Sequence, residues 1–410
     1  MPIINQPFQG QLGDILISEL ENGYTKFTIF SAFAKNSGVL RLKDSIEKFK
    51  SKGGYIKAFV GIDLDGTSYE ALLNLFSLCN ELYVIHSENF STTYHSKIYL
   101  LENLTSAWCA IGSNNLTGGG LWTNFESCSI QLYDSSIEKK ELKNIYSIIE
   151  KYSDAGYSCS TKINSINDIN TLLGANYISK EVSQKIENIS KRVSRKKIQK
   201  KNSLFGTEKV TIPTITTTQK PYNPLTQSSA SDIDNIIVPT TQNVPAFTNE
   251  QFWFEMRKST GGSRNILDLS KLGQIESGSV NGTPYEYSDP ARMYGGIKFF
   301  DIDPEDTSRQ KNITINYLGK DYYPSTIKFA PDNGSWRIQL KGAPNDNSEE
   351  LSKYGNRGDF VHKILVFEKI NTDYYVLSLL DESELDRVKS LSRVWARNGS
   401  GATSKAYGML

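Results

Sequence analysis

Between Phe205 and Pro245 the chain runs through Thr-Ile-Pro-Thr-Ile-Thr-Thr-Thr, Lys-Pro-Tyr-Asn-Pro and Thr-Gln-Ser-Ser-Ala-Ser, with too little apolar periodicity to bury a core. Whatever folds must therefore fold on either side of it. A chain of 410 residues is also longer than one hydrophobic core usually serves. The expected division is residues 1–190, a basic helix end and linker over 191–245, and a second domain over 246–410.

The first part alternates strand-like and helix-like patterns. Lys26 to Ala34, Tyr55 to Gly61 and Glu81 to His86 read as strands, while Val39 to Lys50 and Ser68 to Asn80 read as amphipathic helices. Strands then follow over Lys97–Leu101, Ser106–Ile111 and Phe125–Tyr133, and a charged helix over Ser135–Tyr152. That rhythm argues an α/β sandwich. From Ile178 the apolar positions Val182, Ile186, Ile189 and Val193 predict a long helix, able to pack on this domain or on a twin. Its end, Lys191 to Lys201, carries seven Lys or Arg and no acid, which suits a phosphate backbone or a solvated helix end.

Chemistry concentrates on the last three strands. His95 and Lys97 stand two residues apart, so strand alternation turns both to one face. Gly112-Ser113-Asn114-Asn115 closes the next strand, offering a hydroxyl, amides and backbone N–H groups suited to phosphate oxygens. Glu126 opens the third, sharing a face with Cys128, Ile130 and Leu132 as the start of an otherwise buried row, and could hold a histidine ring in one tautomer. Singly, each has a plain reading: a surface histidine, a solvated strand-edge lysine, a turn-capping asparagine, a water-facing glutamate. Their joint occurrence in register argues for a site. His86 ends a strand outside any such pattern and reads as structural.

His-x-Lys, then Gly-Ser-x-Asn, then a glutamate eleven residues after the asparagine resembles the signature of the phospholipase D superfamily. Glu102 stands where that family often has Asp, and the gap from Glu102 to Gly112 is longer than usual. The resemblance implies a phospholipase-D-like α/β nuclease domain with His95, Lys97, Ser113, Asn115 and Glu126 as catalytic residues. It implies phosphodiester cleavage through a covalent phosphohistidine, with no metal and no other cofactor.

Beyond the linker the texture changes. Strands are expected over Phe252–Met256, Ile297–Ile302, Asn312–Tyr317, Ser325–Phe329, Ser335–Leu340, Lys363–Lys369 and Tyr374–Leu379, with Asp332-Asn333-Gly334 as a hairpin turn. The result is a mostly antiparallel, barrel-like domain. Lys258-Ser-Thr-Gly-Gly-Ser-Arg264-Asn265 resembles the first recognition arm of plant B3-like DNA-binding domains, although a plain glycine turn is an equally simple reading. Under the resemblance, Arg264 and Asn265 would read guanine and adenine edges, with Lys258 and Lys320 as further DNA contacts. Gly319–Thr326 and Gly342–Gly358 are both candidates for a second arm. The basic tail, Arg387, Lys389, Arg393, Arg397 and Lys405 against Asp386, suits phosphate contact or solvation equally.

The two halves together resemble restriction endonucleases of the BfiI and NgoFVII kind, which implies double-stranded DNA as substrate and a homodimeric nuclease. A helicase or ATPase, or a methyltransferase, is what a restriction system would add as partner. Competing readings are a phospholipase or phosphatidyltransferase on the same fold, and a DNA-binding protein with a silent nuclease domain.

Composition excludes little. A net charge of +1 gives no global pull toward nucleic acid, so any such surface must be local. No run of about 18 apolar residues suggests a membrane span, and no basic-then-apolar start suggests a signal peptide, so the expected location is cytoplasmic. Cys79, Cys109, Cys128 and Cys159 lack metal-ligand spacing and read as buried thiols.

Overall fold

A computed structural model describes residues 3–89, 91–135, 137–195, 210, 250–257, 264–344, 348–399 and 404–410. The linker, the far end of the basic helix and Lys258 lie outside these residues.

Eight strands form the first sheet: β1 (Ile3–Gln6), β2 (Lys26–Ser31), β3 (Tyr55–Gly61), β4 (Glu81–Ile85), β5 (Lys97–Glu102), β6 (Ala107–Gly112), β7 (Glu126–Tyr133) and β8 (Ser160–Ile163). Their order is β1-β7-β6-β5-β2-β3-β4-β8. The pairs β2–β3 and β3–β4 are parallel, and the rest antiparallel. Both faces are covered, as an α/β sheet requires. On one face α1 (Leu12–Glu19), α2 (Asn36–Ser51), α3 (Tyr69–Leu78) and α5 (Ile166–Gly174) contribute Leu16, Val39, Leu42, Leu72, Leu75 and Ile169 to the core. On the other, α4 (Lys143–Ser153) lays Ile145, Ile149 and Tyr152 on Phe30, Phe59 and Tyr83. Helix ends are satisfied locally where sequence permits. Ser68 accepts from the Ala71 N–H, and Ser165 and Asp168 form a capping box at α5.

The expected row on β7 holds only in part. Cys128 and Ile130 are buried, but Leu132 is 61% exposed. The reason is local: β1 pairs only with Glu126 to Ser129, so the end of β7 lies on an uncovered edge.

The second sheet has twelve strands. They are β9 (Gln251–Met256), β10 (Ile266–Leu269), β11 (Leu272–Gly278), β12 (Arg292–Tyr294), β13 (Gln310–Tyr317), β14 (Lys320–Ala330), β15 (Ser335–Gln339), β16 (Ala343–Pro344), β17 (Lys363–Lys369), β18 (Tyr374–Asp381), β19 (Val394–Arg397) and β20 (Ala406–Met409). The order is β10-β15-β14-β13-β18-β17-β9-β20-β19-β11-β12, with β16 on β14. Pairing is antiparallel except for β13–β18. Strand β10 ends this order, while β11, joined to it only by Ser270 and Lys271, lies near the opposite end. That link reaches at most about 11 Å when extended, so the sheet must curl until its ends meet. Leu267, Trp336, Phe254, Val394 and Met293 accordingly share one core. The turn at Pro331–Asn333 ends on Gly334 in the left-handed region, as the Asp-Asn-Gly sequence demanded.

One expected strand is absent. Residues 297–302 begin as a helical turn, α7 (Gly296–Phe299), and Ile297, Phe299 and the following Phe300 are all buried. A short, wholly buried apolar run carries no periodicity to separate helix from strand.

The long helix is α6 (Glu181–Arg195). It packs on the second lobe, with Val182 and Ile186 against Trp253, Ile364, Val366 and Leu380. Its Glu181 carboxylate reaches back to the first lobe, accepting from the Asn36 N–H at 2.6 Å and the Ser68 hydroxyl at 2.7 Å. The lobes also meet directly. Asp321 takes Lys43 Nζ at 2.5 Å, Asn316 Nδ2 at 2.7 Å and the Tyr374 hydroxyl at 2.7 Å. Leu40 packs on Tyr374 and Val376 beside it.

Candidate active site

The antiparallel ladder β2–β5–β6–β7 places the start of β5, the end of β6 and the start of β7 at one edge of the sheet. Ile98 pairs with Ile111, Gly112 with Cys128, and Lys97 with Ser31 at the end of β2. His95 lies just ahead of β5 rather than within it. Its ring is exposed, while Lys97 is only 6% exposed.

Lys97 Nζ lies 2.6 Å from His95 Nδ1 and donates to the His95 carbonyl at 2.8 Å. An ammonium can only donate, so Nδ1 accepts and a neutral ring carries its proton on Nε2. Burial pushes the Lys97 pKa down, and the nearby Glu126 charge opposes that shift. Phe33 meets the imidazole edge-on, with ring centroids 5.8 Å apart.

Ser113 donates its hydroxyl to Glu126 and its N–H to the Ser127 carbonyl at 3.0 Å. Glu126 also accepts from Asn124 Nδ2 at 3.2 Å. The glutamate thus holds the serine turn and supports the Lys97 charge; its hydrogen bonds go to Ser113 and Asn124 rather than to the His95 ring it was expected to orient. Asn115 Oδ1 accepts from the Phe33 N–H at 3.2 Å, which fixes the amide and leaves Nδ2 as its donor end.

Several positioning groups carried no sequence signal. Ser31 donates to the Phe33 carbonyl at 2.7 Å and accepts from the Leu116 N–H at 2.8 Å, tying β2 to the Asn115 turn. Asn114 is buried, donating to the Gly120 carbonyl at 2.8 Å and accepting the Tyr99 hydroxyl at 3.1 Å through its own carbonyl. A Cβ on Gly120 would lie 2.4 Å from the Asn115 carbonyl oxygen, so the Gly-Gly-Gly run lets the turn close on itself. Its spacing after Asn115 was the one available hint.

Other expectations separate from the site. Glu102, at the far end of β5, accepts the Tyr146 hydroxyl at 2.9 Å. His86 pairs with Asp63 at 2.6 Å. Cys109 and Cys128 are buried, whereas Cys79 and Cys159 are half-buried, and all four are free thiols. Among the described residues no three His, Cys, Asp or Glu side chains gather as metal ligands, and no helix is long and apolar enough to cross a membrane.

On the second lobe, Arg264 is exposed and lies beside Gly358, while Asn265 Nδ2 is held by the Leu340 carbonyl at 3.0 Å. Asn265 therefore has one amide end already committed. Lys320 donates to Ser348 at 2.7 Å. Of the two candidate second arms, 319–326 lies at the lobe interface, with Gly319 against the Leu73 backbone and Asp321 on Lys43. Of the other candidate, Gly355 and Gly358 at its end adjoin Asn265 and Arg264.

No protein-family model matches the chain, and no curated protein matches it. Among solved structures it is similar to Nuc, a phospholipase D family member from Salmonella typhimurium, at 15% identity over 40% of this chain and 97% of that one, with a TM-score of 0.29. NucT from Helicobacter pylori follows at 14% identity over 36% and 94%, with a TM-score of 0.27. Phosphatidylserine synthase from Haemophilus influenzae is 13% identical over 46% of this chain and 44% of that one, with a TM-score of 0.31. At these scores the likeness carries no argument about chemistry, and the site rests on its own geometry.

Proposed function

We propose that the protein is a site-specific DNA endonuclease that cuts phosphodiester bonds without metal, through a phosphohistidine on His95, and works as a homodimer. The observation that supports this most is the pairing of an exposed imidazole with a buried lysine at 2.6 Å, set at the edge where the Ser113 turn and Glu126 also end. His95 Nε2 attacks phosphorus, the P–O bond to the leaving nucleotide oxygen breaks, and that oxygen takes a proton. Water then cleaves the P–N bond. Lys97 and the Asn115 amide hold the non-bridging oxygens as charge builds, and Ser113 joins them by turning its hydroxyl from Glu126.

The tautomer bears on this scheme. With Lys97 on Nδ1, the Nε2 proton suits a ring that protonates the leaving oxygen. A ring that attacks must carry its proton on Nδ1 instead, a tautomer open to it once Lys97 moves from Nδ1 to a phosphate oxygen. One imidazole cannot fill both positions, and neither His86 nor His362 stands in a matching site. Two copies of His95 related by a two-fold axis supply both. Ile3, Ser129 and Ile111 stand in register across β1, β7 and β6, and Ile3 and Ile111 are 63% and 44% exposed; a second copy would cover such a face. The second lobe reads double-stranded DNA, with Arg264 as its guanine reader.

Purified protein and plasmid DNA incubated in EDTA should yield cuts, and His95→Ala should abolish them while leaving DNA binding intact. Wild-type cutting by the alanine variant would refute the assignment.

A further inference from the structure

The segment that carries His95 is the long irregular crossing from β4 to β5, and one carboxylate ties both of its ends. Asp63 Oδ1 lies 2.6 Å from His86 Nδ1 at the beginning of the crossing, and Asp63 Oδ2 accepts the Tyr94 N–H at 2.9 Å at its end, one residue before His95. Asp63 is only 9% exposed. It opens the turn Asp63-Leu64-Asp65-Gly66, in which Leu64 and Asp65 both sit in the left-handed region with φ of 56° and 55°. Two such residues in succession, neither of them glycine, are held there by their surroundings rather than by preference. The same turn reaches the imidazole by a second route. A Cβ on Gly66 would fall 1.9 Å from Phe33 Cδ1, so the glycine lets Phe33 lie flat on the turn, and Phe33 in turn abuts the His95 ring at 5.8 Å.

We infer that Asp63 is a positioning residue for His95: it ties the two ends of the crossing together through Tyr94 and His86, and so sets where the exposed ring stands. Holding a reacting group in attack geometry is a large part of catalysis, and displacement of about 1 Å suffices for a hundredfold loss. His86 is then a brace of the nucleophile's loop, without touching substrate. This rests on the assignment of His95 as nucleophile.

The test uses the full chain and bis(p-nitrophenyl) phosphate, a phosphodiester that needs no recognition sequence. Asp63→Ala should lower kcat by about ten- to a hundredfold with KM nearly unchanged. Asp63→Asn, whose amide can accept from Tyr94 and donate to His86 Nδ1, should restore most of kcat. A wild-type kcat in Asp63→Ala, or a loss borne by KM alone, or an Asn variant as slow as the Ala variant, overturns the inference. Should Asp63→Ala fail to fold, His86→Ala removes one brace at a partly exposed ring; a severalfold lower kcat at constant KM supports the role, and an unchanged kcat refutes it. His95→Ala separates the two levels: if it turns over normally, the site assignment falls, whereas an inactive His95→Ala beside a normal Asp63→Ala sinks only the positioning role.

Discussion

Among the contacts that join the lobes, the one centred on Asp321 has a removal that can be sized from the structure. Asp321 accepts three hydrogen bonds, from Lys43, Asn316 and Tyr374, and the Lys43 and Asp321 side chains are 10% and 20% exposed. Asp321→Ala leaves a nearly buried ammonium without its main counter-charge and the buried Tyr374 hydroxyl without its acceptor, while Asn316 Nδ2 keeps Asn74 Oδ1 at 3.2 Å. Breaking a buried pair in this way costs about 3–5 kcal/mol. Glu47, 3.9 Å from Lys43, remains to compensate, so the lower end of that range is expected. The loss should appear in urea titrations followed by tryptophan fluorescence as an early transition of the second lobe, because the broken contact belongs to the interface. Lys43→Met with Asp321→Leu, which removes both charges and restores apolar contact, should recover most of the stability. A change below about 1 kcal/mol for Asp321→Ala, or a double variant as unstable as the single, would refute the reasoning.

Further expectations concern pH, assembly and recognition. Burial, and after it the neighbouring Glu181, push the Glu70 carboxyl up to about 7, so its folded form binds a proton more tightly than the unfolded chain does. Its contribution is therefore present below the ordinary carboxyl range and lost as pH rises through about 7; Glu70→Gln should raise the melting temperature at pH 8 more than at pH 5, and equal shifts would contradict this. Mixing wild-type with excess His95→Ala protein under subunit exchange should depress cutting far below the wild-type fraction, whereas simple proportionality would rule out a shared centre. Arg264→Ala should cost about 1–3 kcal/mol of discrimination between specific and random duplexes in filter binding, and unchanged discrimination would remove Arg264 from the reading surface.

The sequence was most legible where a run of β-branched and aromatic residues is bounded by turn formers. Tyr55–Gly61 and Lys363–Lys369 fall on their strands as read. The candidate site was legible as a grouping because its parts are named by residue type, and pairing register brings them to one edge of the sheet. Illegible elements are those whose burial comes from distant partners. Strand β1 has two of its four residues exposed or nearly so and exists because β7 offers it an edge, and β19 and β20 are short strands that complete the curl beside β9. The Glu126 bond to Ser113 and the Asn265 bond to Leu340 are tertiary choices among several partners that spacing alone leaves open. The bridging role of α6 was hidden likewise, since an apolar stripe states that a face is covered and not by what.

That bridge has a mechanical consequence. Glu181 supplies the acceptor at the first turn of α2, whose first residue, Asn36, follows Phe33 by only three positions. Phe33 grips Asn115, and Lys35 grips the Leu116 carbonyl at 3.0 Å. A swing of the second lobe that carries α6 along withdraws this acceptor, loosens the first turn of α2 and slackens the hold on the Asn115 amide. The carboxylate of Glu181 thus acts as a crank pin, so that where the second lobe stands is felt at the Asn115 turn.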